Sequence, residues 1–371
     1  MSASAKQWLE RIHALPKQDS VKIMNVCGGH ERSITMAGLR KALPDYIELV
    51  PGPGCPVCIC PEEDIFEAIQ LALNEDIILV AFGDMLRVPV NVSKAQARTL
   101  EQARAQGADI RPIASPTEAV SIAIDNPDKP VVFFAAGFET TTAPVAAMMV
   151  EGIPDNLSVL LSGRLTWPAV AMLLESGSPG FDALVAPGHV ATVMGPEEWQ
   201  FVVDKHHIPA AVAGFKPESL LAAMYSTLRQ LHDKRYFLDN CYPELVKPGG
   251  NRSAQKHLDT AMNVYDANWR GVGIIPASGY ALDDKYKGHD ARLLFPSYAD
   301  DARKRAGQMP PGCDCAQVVL GKIYPNECRL FGAACTPRNP IGPCMVSDEG
   351  ACRIWWAGGM RESANKERAV G

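Results

Sequence analysis

The feature that most constrains the fold is the alternation of short apolar runs with helical segments through about the first 225 residues. Each run is nearly continuous in hydrophobicity, which is typical of parallel strands covered on both faces. The predicted strands are VKIMNV (21–26), YIELV (46–50), DIILVAF (76–82), DIRPIA (109–114), PVVFFAA (130–136), LSVLLS (157–162), DALVAP (182–187) and PAAVAGF (209–215). The pattern therefore predicts an α/β fold.

The rhythm of these segments predicts two similar parallel-sheet α/β domains that face a common cleft. Six cysteines lie between positions 313 and 352, so we interpret the C-terminal part as an iron–sulfur domain. The Pro-rich sequence DNPDKP at 125–130 is the expected junction between the two α/β domains. The predicted units are an N-terminal helix packed on the C-terminal domain (1–20), α/β domain 1 (21–125), α/β domain 2 (126–225) and the C-terminal domain (226–371).

Charge and composition exclude several classes of partner. The net charge of −6 gives no electrostatic reason to expect nucleic acid or an anionic membrane as a ligand. The apolar runs are shorter than the roughly 18 residues of a membrane span, and the N-terminal segment lacks an apolar signal region. We therefore expect a cytoplasmic protein, where eleven cysteines favour metal or redox chemistry over stable disulfides.

Glycine-rich or proline-rich motifs directly follow the predicted strands. They are CGGHE (27–31), PGPGCPVC (51–58), GDMLRVP (83–89), GFETTTAP (137–144), GRLTWP (163–168), PGHV (187–190) and GFKPES (214–219). Ligands of open parallel sheets bind outside the carboxyl ends of the strands. We therefore expect these loops to converge on one cleft.

The CGGHE motif combines a thiol and an imidazole with a tight backbone turn. Cys27 and His30 offer one soft and one borderline metal ligand, and Glu31 can orient the histidine or accept a proton. The alternative is a glycine turn into a helix, with Cys27 a small buried residue and His30 a capping or surface residue.

The second cysteine motif is the CxxC formed by Cys55 and Cys58, which Cys60 extends. A helix begins just after it, and a helix N-terminus stabilises a thiolate, so the pair suits a redox dithiol. Structural zinc and an inert stiff loop stay as alternatives, although no second CxxC completes a zinc ribbon.

Two further polar residues follow predicted strands. Glu139 and the threonines after it match a phosphate-binding loop poorly, and they can simply cap a helix. His189 of PGHV can be a ligand, a proton carrier or an ordinary loop histidine.

The C-terminal block contains six thiols within 40 residues: Cys313, Cys315, Cys328, Cys335, Cys344 and Cys352. They are spread through loops rich in glycine and proline, which suits a cubane iron–sulfur cluster that thiolates must surround from several directions. Structural zinc is the alternative.

Taken together, CGGHE, PGPGCPVC, GFETT, PGHV and the cysteine block resemble the HypD family of hydrogenase maturation factors in order and approximate spacing, over nearly the whole chain. The resemblance implies that Cys27 binds the iron on which the Fe(CN)2CO unit of [NiFe]-hydrogenases is assembled, with His30 beside it. It also implies that Cys55 and Cys58 are a redox dithiol. We place Glu139 and His189 with them as candidate catalytic residues.

The resemblance further implies a [4Fe-4S] cluster. The family spacing falls on Cys328, Cys335 and Cys352, with Cys313 or Cys315 as the first ligand. Cys344, Cys60 and Lys216 of GFKPES depart from the family pattern, and Cys241 is expected to be structural.

The expected partners are HypC, which shares the iron, and HypE, which delivers cyanide that HypF derives from carbamoyl phosphate. These imply an assembly scaffold rather than a conventional turnover enzyme, as a monomer or a heterodimer with HypC. The competing hypotheses are a freestanding, cluster-dependent protein disulfide reductase and a zinc-stabilised α/β binding protein.

Overall fold

The computed structural model describes residues 2–305, 307 and 309–360. Its strands are β1 (Val21–Asn25), β2 (Ile47–Pro51), β3 (Ile78–Phe82), β4 (Ile110–Ile113), β5 (Val131–Gly137), β6 (Leu157–Arg164), β7 (Ala183–Pro187), β8 (Ala210–Ala213), β9 (Leu238–Asn240), β10 (Met262–Trp269) and β11 (Gly273–Leu282). All eight predicted runs form strands, with bounds within two residues of the prediction at each end.

The helices connect these strands and cover the sheets. They are α1 (Ala3–His13), α2 (Gly28–Met36), α3 (Leu39–Ala42), α4 (Pro56–Ile59), α5 (Glu62–Asn74), α6 (Leu100–Ala105), α7 (Pro116–Asp125), α8 (Glu139–Glu151), α9 (Trp167–Glu175), α10 (Gly188–Met194), α11 (Gln200–Asp204), α12 (Pro217–Asp233), α13 (Arg252–Ala261), α14 (Ala291–Leu294), α15 (Pro296–Arg303), α16 (Cys315–Val319) and α17 (Ala351–Ala357). In the part of the chain that the structure describes, no helix has the length and apolar character needed to cross a membrane.

The strands form two sheets in which parallel pairing dominates. The first has the order β2-β1-β7-β8-β9, and all of its neighbours are parallel. The second has the order β10-β11-β6-β5-β3-β4, in which β11 pairs antiparallel with both β10 and β6, and the pairs β6–β5, β5–β3 and β3–β4 are parallel. The α/β class with two parallel-dominated sheets is therefore confirmed.

The sheets do not group the strands as the sequence predicted. The segment 21–125 contributes β1 and β2 to the first sheet but β3 and β4 to the second. The segment 126–225 is divided in the same way, with β5 and β6 in the second sheet and β7 and β8 in the first. DNPDKP is only the connection from α7 to β5 inside one sheet. Alternation along the chain specifies strands, but it does not specify which strand becomes a neighbour.

The segment after 225 is also shared between the sheets rather than separate from them. Its strand β9 is an edge of the first sheet, and β10 and β11 extend the second. The cysteine block packs into the same hydrophobic core as Cys55 and Cys58. The separate domain predicted for 226–371 is therefore not found within the described residues, and 361–371 lie outside them.

The N-terminal helix packs on α12, which crosses the predicted boundary between residues 225 and 226. Buried Ala5 and Ile12 join the core of the first sheet, and the Trp8 and Tyr225 rings lie 5.5 Å apart between α1 and α12. The apolar face of α1 is buried against the apolar face of the amphipathic helix α12. Among the described residues, no cysteine of the C-terminal block belongs to this core.

Candidate functional site

Six of the seven motif loops line one cavity between the two sheets. The cavity has a volume of about 130 Å³. Each loop supplies at least one wall residue: Cys27, Gly54, Phe138, Thr166, His189 and Phe215. The GDMLRVP loop does not line the cavity. Its Asp84 accepts a hydrogen bond from Ser347 Oγ at 2.9 Å. The expected convergence at the carboxyl ends of the strands is thus present.

Cys27 is the last residue of the short connection between β1 and α2, and it is the N-cap of α2. The Gly28 amide donates to the Gly54 carbonyl at 3.0 Å, which ties α2 to the PGPGC loop. A Cβ atom on Gly54 would overlap the Cys27 backbone, so only glycine permits this approach. Burial and the carboxylate of Glu349 raise the pKa of Cys27 to about 12, while the amides of His30 and Gly29 oppose the rise.

His30 lies beneath the cavity wall rather than in it. Its Nε2 atom lies 2.9 Å from the Ala213 carbonyl, which can only accept, so Nε2 carries the proton. Nδ1 is buried without a hydrogen-bond partner among the described residues. Burial lowers the pKa of His30 to about 4, so the ring is neutral at physiological pH.

His189 is the imidazole that faces the cavity. It lies at the start of α10 and is exposed. Its ring contacts Phe215 at a centroid distance of 4.1 Å, and Phe215 in turn contacts His30 at 5.7 Å. Partial burial lowers the pKa of His189, which favours the neutral ring. His189 is therefore placed to bind a metal or to exchange a proton at the cavity mouth.

Cys55 and Cys58 are joined by a disulfide bond and are both buried. Pro56 begins α4 between them, and the Cys58 amide donates to Cys55 Sγ at 3.2 Å. A narrow gap of about 10 Å³ lies between this disulfide and Cys27. Glu349 and Asn25 also line the gap. The two cysteine motifs therefore meet at one place.

Cys60 faces away from that gap. Its thiol lies 3.4 Å from Ser162 Oγ on β6, and Ser162 donates to Asp64 at 2.5 Å. Asp64 is held by Arg292 at 2.7 Å. Burial raises the pKa of Cys60 to about 12, and Asp64 adds to the rise. Cys60 thus belongs to a buried polar network behind α4, which the sequence pattern did not reveal.

Glu139 is fully buried at the start of α8. Its carboxylate accepts from the Thr166 amide at 2.6 Å and from Thr166 Oγ1 at 2.7 Å. Burial raises the pKa of Glu139 to about 7 against the effect of these hydrogen bonds. The residue holds the Thr166 turn, which forms part of the cavity wall, instead of lining the cavity itself.

Glu349 is a site residue that sequence reasoning missed. It lines both the cavity and the narrow gap, beside Cys27 in each. Burial raises the pKa of Glu349 to about 7, and the nearby Asp84 carboxylate adds to the rise. Only its position three residues before Cys352 distinguishes it in the sequence, and that spacing does not indicate which cavity it reaches.

The six C-terminal thiols gather around α16 and the start of α17. Cys313 Sγ lies 3.2 Å from Cys315 Sγ, and Cys344 hydrogen-bonds to both Cys315 and Cys352. The Cys352 pKa is lowered because it accepts from Cys315 and Cys344. No three His, Cys, Asp or Glu side chains in the described ranges are arranged to hold a metal ion, so the expected ligand set stays a prediction.

Two further cysteines complete this arrangement. Cys335 Sγ accepts from the Ile341 amide at 3.4 Å, and amides of Asp314 and Leu330 face Cys328. Helix α4 packs against α16 and against the turn Pro343–Met345. The disulfide therefore lies between Cys27 on one side and the cysteine block on the other. Cys241 lies apart from this arrangement, after β9, with its thiol 3.7 Å from Asp239 Oδ2.

Comparison with known proteins identifies the family. The family model described as "HypD: Hydrogenase formation hypA family" matches residues 3–359. Hydrogenase maturation factor HypD2 of Bradyrhizobium diazoefficiens is 38% identical over 369 residues, which cover 97% of this chain and 94% of that protein. HypD of Azotobacter vinelandii is 38% identical over 98% of this chain and 96% of its own length, and HypD of Escherichia coli is 36% identical over 92% and 90%. The chain belongs to the HypD family of hydrogenase maturation factors.

Proposed function

We propose that this protein is the scaffold on which the Fe(CN)2CO group of [NiFe]-hydrogenases is assembled, with Cys27 binding the iron as substrate. One observation carries the proposal: Cys27 lies where the cavity lined by the motif loops meets the gap that leads to Cys55 and Cys58. A metal ion held there would be within reach of both an open cavity and a redox-active sulfur pair.

The cavity wall suits the chemistry of such an iron. A thiolate is a soft ligand, which low-spin iron with cyanide and carbon monoxide prefers. Phe138, Phe215 and Val190 give the wall apolar surface, and His189 and Glu349 supply the polar groups. Cyanide, an anion, and carbon monoxide, which is nearly apolar, are both small diatomic ligands that such a mixed pocket can hold, because orientation needs only a few polar contacts.

In its reduced, dithiol form the Cys55–Cys58 pair supplies the electrons for cyanide transfer. A protein thiocyanate that releases cyanide as an anion takes up two electrons and one proton, and the donor cysteine leaves as a thiol. The two thiols of Cys55 and Cys58 provide those electrons by losing two protons and forming their S–S bond. One proton therefore leaves for each cyanide that binds iron, and the disulfide must be reduced before the next transfer.

We assign a [4Fe-4S] cluster to the cysteine block on the number and chemistry of its thiols. It offers six thiols where four are required, and amide groups face Cys335 and Cys328, as expected for sulfur ligands of such a cluster. A Cβ atom on Gly342 would overlap the sulfur atoms of Cys313 and Cys315. Cys328, Cys335 and Cys352 with Cys313 or Cys315 would hold the cluster, and Cys344 is in contact with two of these candidates. When bound, the cluster would supply electrons to reduce the adjacent disulfide.

The partners follow from the same site. HypC would share the iron from the open side of the cavity, where His189 is exposed, and HypE would deliver cyanide supplied through HypF. Nine of the eleven cysteines are free thiols, which fits a reducing cytoplasm. A freestanding disulfide reductase is less well supported, because both sulfurs of the disulfide are buried away from a diffusing protein substrate.

The test is infrared and metal analysis of anaerobically purified protein, alone and with HypC. We expect iron and acid-labile sulfide in both samples, and infrared bands of bound cyanide and carbon monoxide in the complex. Cys27→Ala should lose those bands but keep the sulfide, whereas the matched control Cys241→Ala, which alters a thiol outside the site, should keep both. Bands that survive Cys27→Ala would refute the iron site, and zinc without iron or sulfide would refute the whole proposal.

A further inference from the structure

Glu31 of the CGGHE motif lies between two helices that carry cysteines of the site. Its Oε1 atom accepts from Trp355 Nε1 at 2.7 Å. Its Oε2 atom accepts from Arg40 Nη2 at 2.8 Å and from Asn25 Nδ2 at 3.1 Å. Both oxygens of this buried carboxylate therefore have donors, and one of those donors belongs to α17.

Each of the two residues is also tied to a thiol-bearing residue. The Glu31 amide donates to the carbonyl of Cys27, the N-cap of α2, at 3.1 Å. Trp355 follows Cys352 by three residues in α17, and residues three apart lie on one face of a helix. The Glu31–Trp355 hydrogen bond thus joins the first turn of α2, which Cys27 caps, to the face of α17 that carries Cys352.

A second contact joins α2 and α17 near their N-termini. Gly28 packs so closely on Glu349 that a Cβ atom on Gly28 would overlap the Glu349 backbone and side chain. Glu349 immediately precedes Gly350, the N-cap of α17. Two separate contacts prevent α2 from sliding or tilting on α17, so a displacement of one helix is passed to the other.

The surroundings of Glu31 make its contact with Trp355 a strong one. Arg40 neutralises the carboxylate, and its guanidinium also lies 5.1 Å from the centre of the Trp355 ring. Hydrogen bonds to a charged group are stronger than neutral ones, and a buried charge that loses a partner is costly. Arg32 and Asp348 join the same segments at 3.4 Å, but both are exposed and contribute little.

We infer that Glu31 is a positioning residue that couples the cysteine block to Cys27, so that a change at Cys352 alters the reactivity of the Cys27 thiol through Trp355. The coupling is reciprocal, because a link that transmits a change at Cys352 to Cys27 also transmits the reverse change. This inference goes beyond the proposed function, since it depends on the contacts of the chain itself and not on what Cys27 binds.

A double-mutant cycle on the full chain tests the coupling. The perturbation is Cys352→Ser, and the readout is the rate at which iodoacetamide alkylates Cys27, followed by peptide mass spectrometry with the Cys55–Cys58 disulfide intact. The backgrounds are wild type, Trp355→Phe, Glu31→Gln and the control Arg32→Gln. Trp355→Phe removes the N–H donor but keeps an aromatic ring beside Arg40.

We expect Cys352→Ser to change the alkylation rate by about tenfold in wild type and in Arg32→Gln, the effect of a charge-assisted hydrogen bond. The change should fall to about threefold in Trp355→Phe, where only the Gly28–Glu349 contact still joins the two helices, and be intermediate in Glu31→Gln, which keeps one oxygen acceptor. An equal change in all four backgrounds, or none in wild type, would overturn the inference. Because the readout needs no iron, a failed iron assignment would leave this result interpretable.

Discussion

Cys27 and Glu349 face each other across the junction of two cavities, although 322 positions separate them in the chain. Burial raises the pKa of the thiol and the carboxylate adds to the rise, and the motif loops enclose both groups. A negative charge beside a thiol keeps it protonated until a cation arrives, because the cation stabilises the thiolate and offsets the repulsion. This behaviour of the pair supports the metal-binding role that we propose for Cys27.

Glu349→Gln should lower the pKa of Cys27, because it removes the neighbouring negative charge while keeping the shape of the side chain. Above pH 7, where Glu349 is ionised in the native protein, we expect Cys27 to be alkylated up to about tenfold faster in the variant. The measurement is the pH dependence of Cys27 alkylation. Asp348→Asn, an exposed neutral substitution one residue away, should leave the rate unchanged. Identical pH profiles for Glu349→Gln and wild type would exclude this role.

The disulfide predicts a specific thiol count. Oxidised protein, once freed of metal and denatured, should react with nine equivalents of a thiol reagent, and reduced protein should react with eleven. In Cys55→Ser and in Cys58→Ser, the oxidised and reduced samples should give equal thiol counts, because the remaining cysteine of the pair cannot form the disulfide. Mass spectrometry of the alkylated chains measures the count. A mixed pairing that involves Cys60 would instead appear as a cross-linked peptide that contains it.

Gly54→Ala should destabilise the site, because the added Cβ atom would overlap the Cys27 backbone. Overpacking of this kind costs about 1 to 3 kcal/mol in the free energy of unfolding. Gly83→Ala is a matched control, since its Cβ atom would meet open space and we expect little change. Urea denaturation of both variants gives the comparison. Equal stability of the two would show that the loop can move away from Cys27.

Glu139 predicts a pH dependence of stability. Its pKa rises from an ordinary 4.5 to about 7 on folding, so the native protein binds more protons than the unfolded chain between these values. The stabilisation from protonated Glu139 is complete below pH 4.5 and is lost as the pH rises through 7.

Glu139→Gln should therefore flatten the decline in the free energy of unfolding between pH 4.5 and 7, by about 1 to 3 kcal/mol across the window. Chemical denaturation at several pH values measures the slope. Glu197→Gln, a change of an exposed residue within the Pro196–Trp199 turn, should keep the wild-type slope. The same slope in Glu139→Gln would mean that this carboxyl does not gain a proton on folding.

Local sequence patterns were enough to find the pieces of the site. Strand-length apolar runs placed β1 to β8, and the polar loops after them supplied six walls of the cavity. The CxxC spacing indicated a closable pair, and the structure contains that disulfide. These predictions succeed because hydrophobic period and turn residues act over a few positions of the chain.

Long-range pairing could not be predicted in the same way. The first sheet places β1 between β2 and β7, with Ile23 opposite both Leu49 and Ala183, although Ala183 is 160 residues away. Any of the buried apolar strands offers a similar surface to a neighbour, so the pattern does not rank the pairings. The predicted division at 125–126 failed for this reason.

The sequence by itself therefore determined the strands β1 to β8, the motif loops, the paired thiols and the family of this protein. Only the tertiary structure decided that His30 lies beneath the cavity wall, that Cys60 faces Ser162, that Glu349 faces Cys27 and that Glu31 reaches Trp355. Each of these contacts depends on which buried surfaces meet, and that choice is made by the packing of whole sheets and helices rather than by neighbours in the chain.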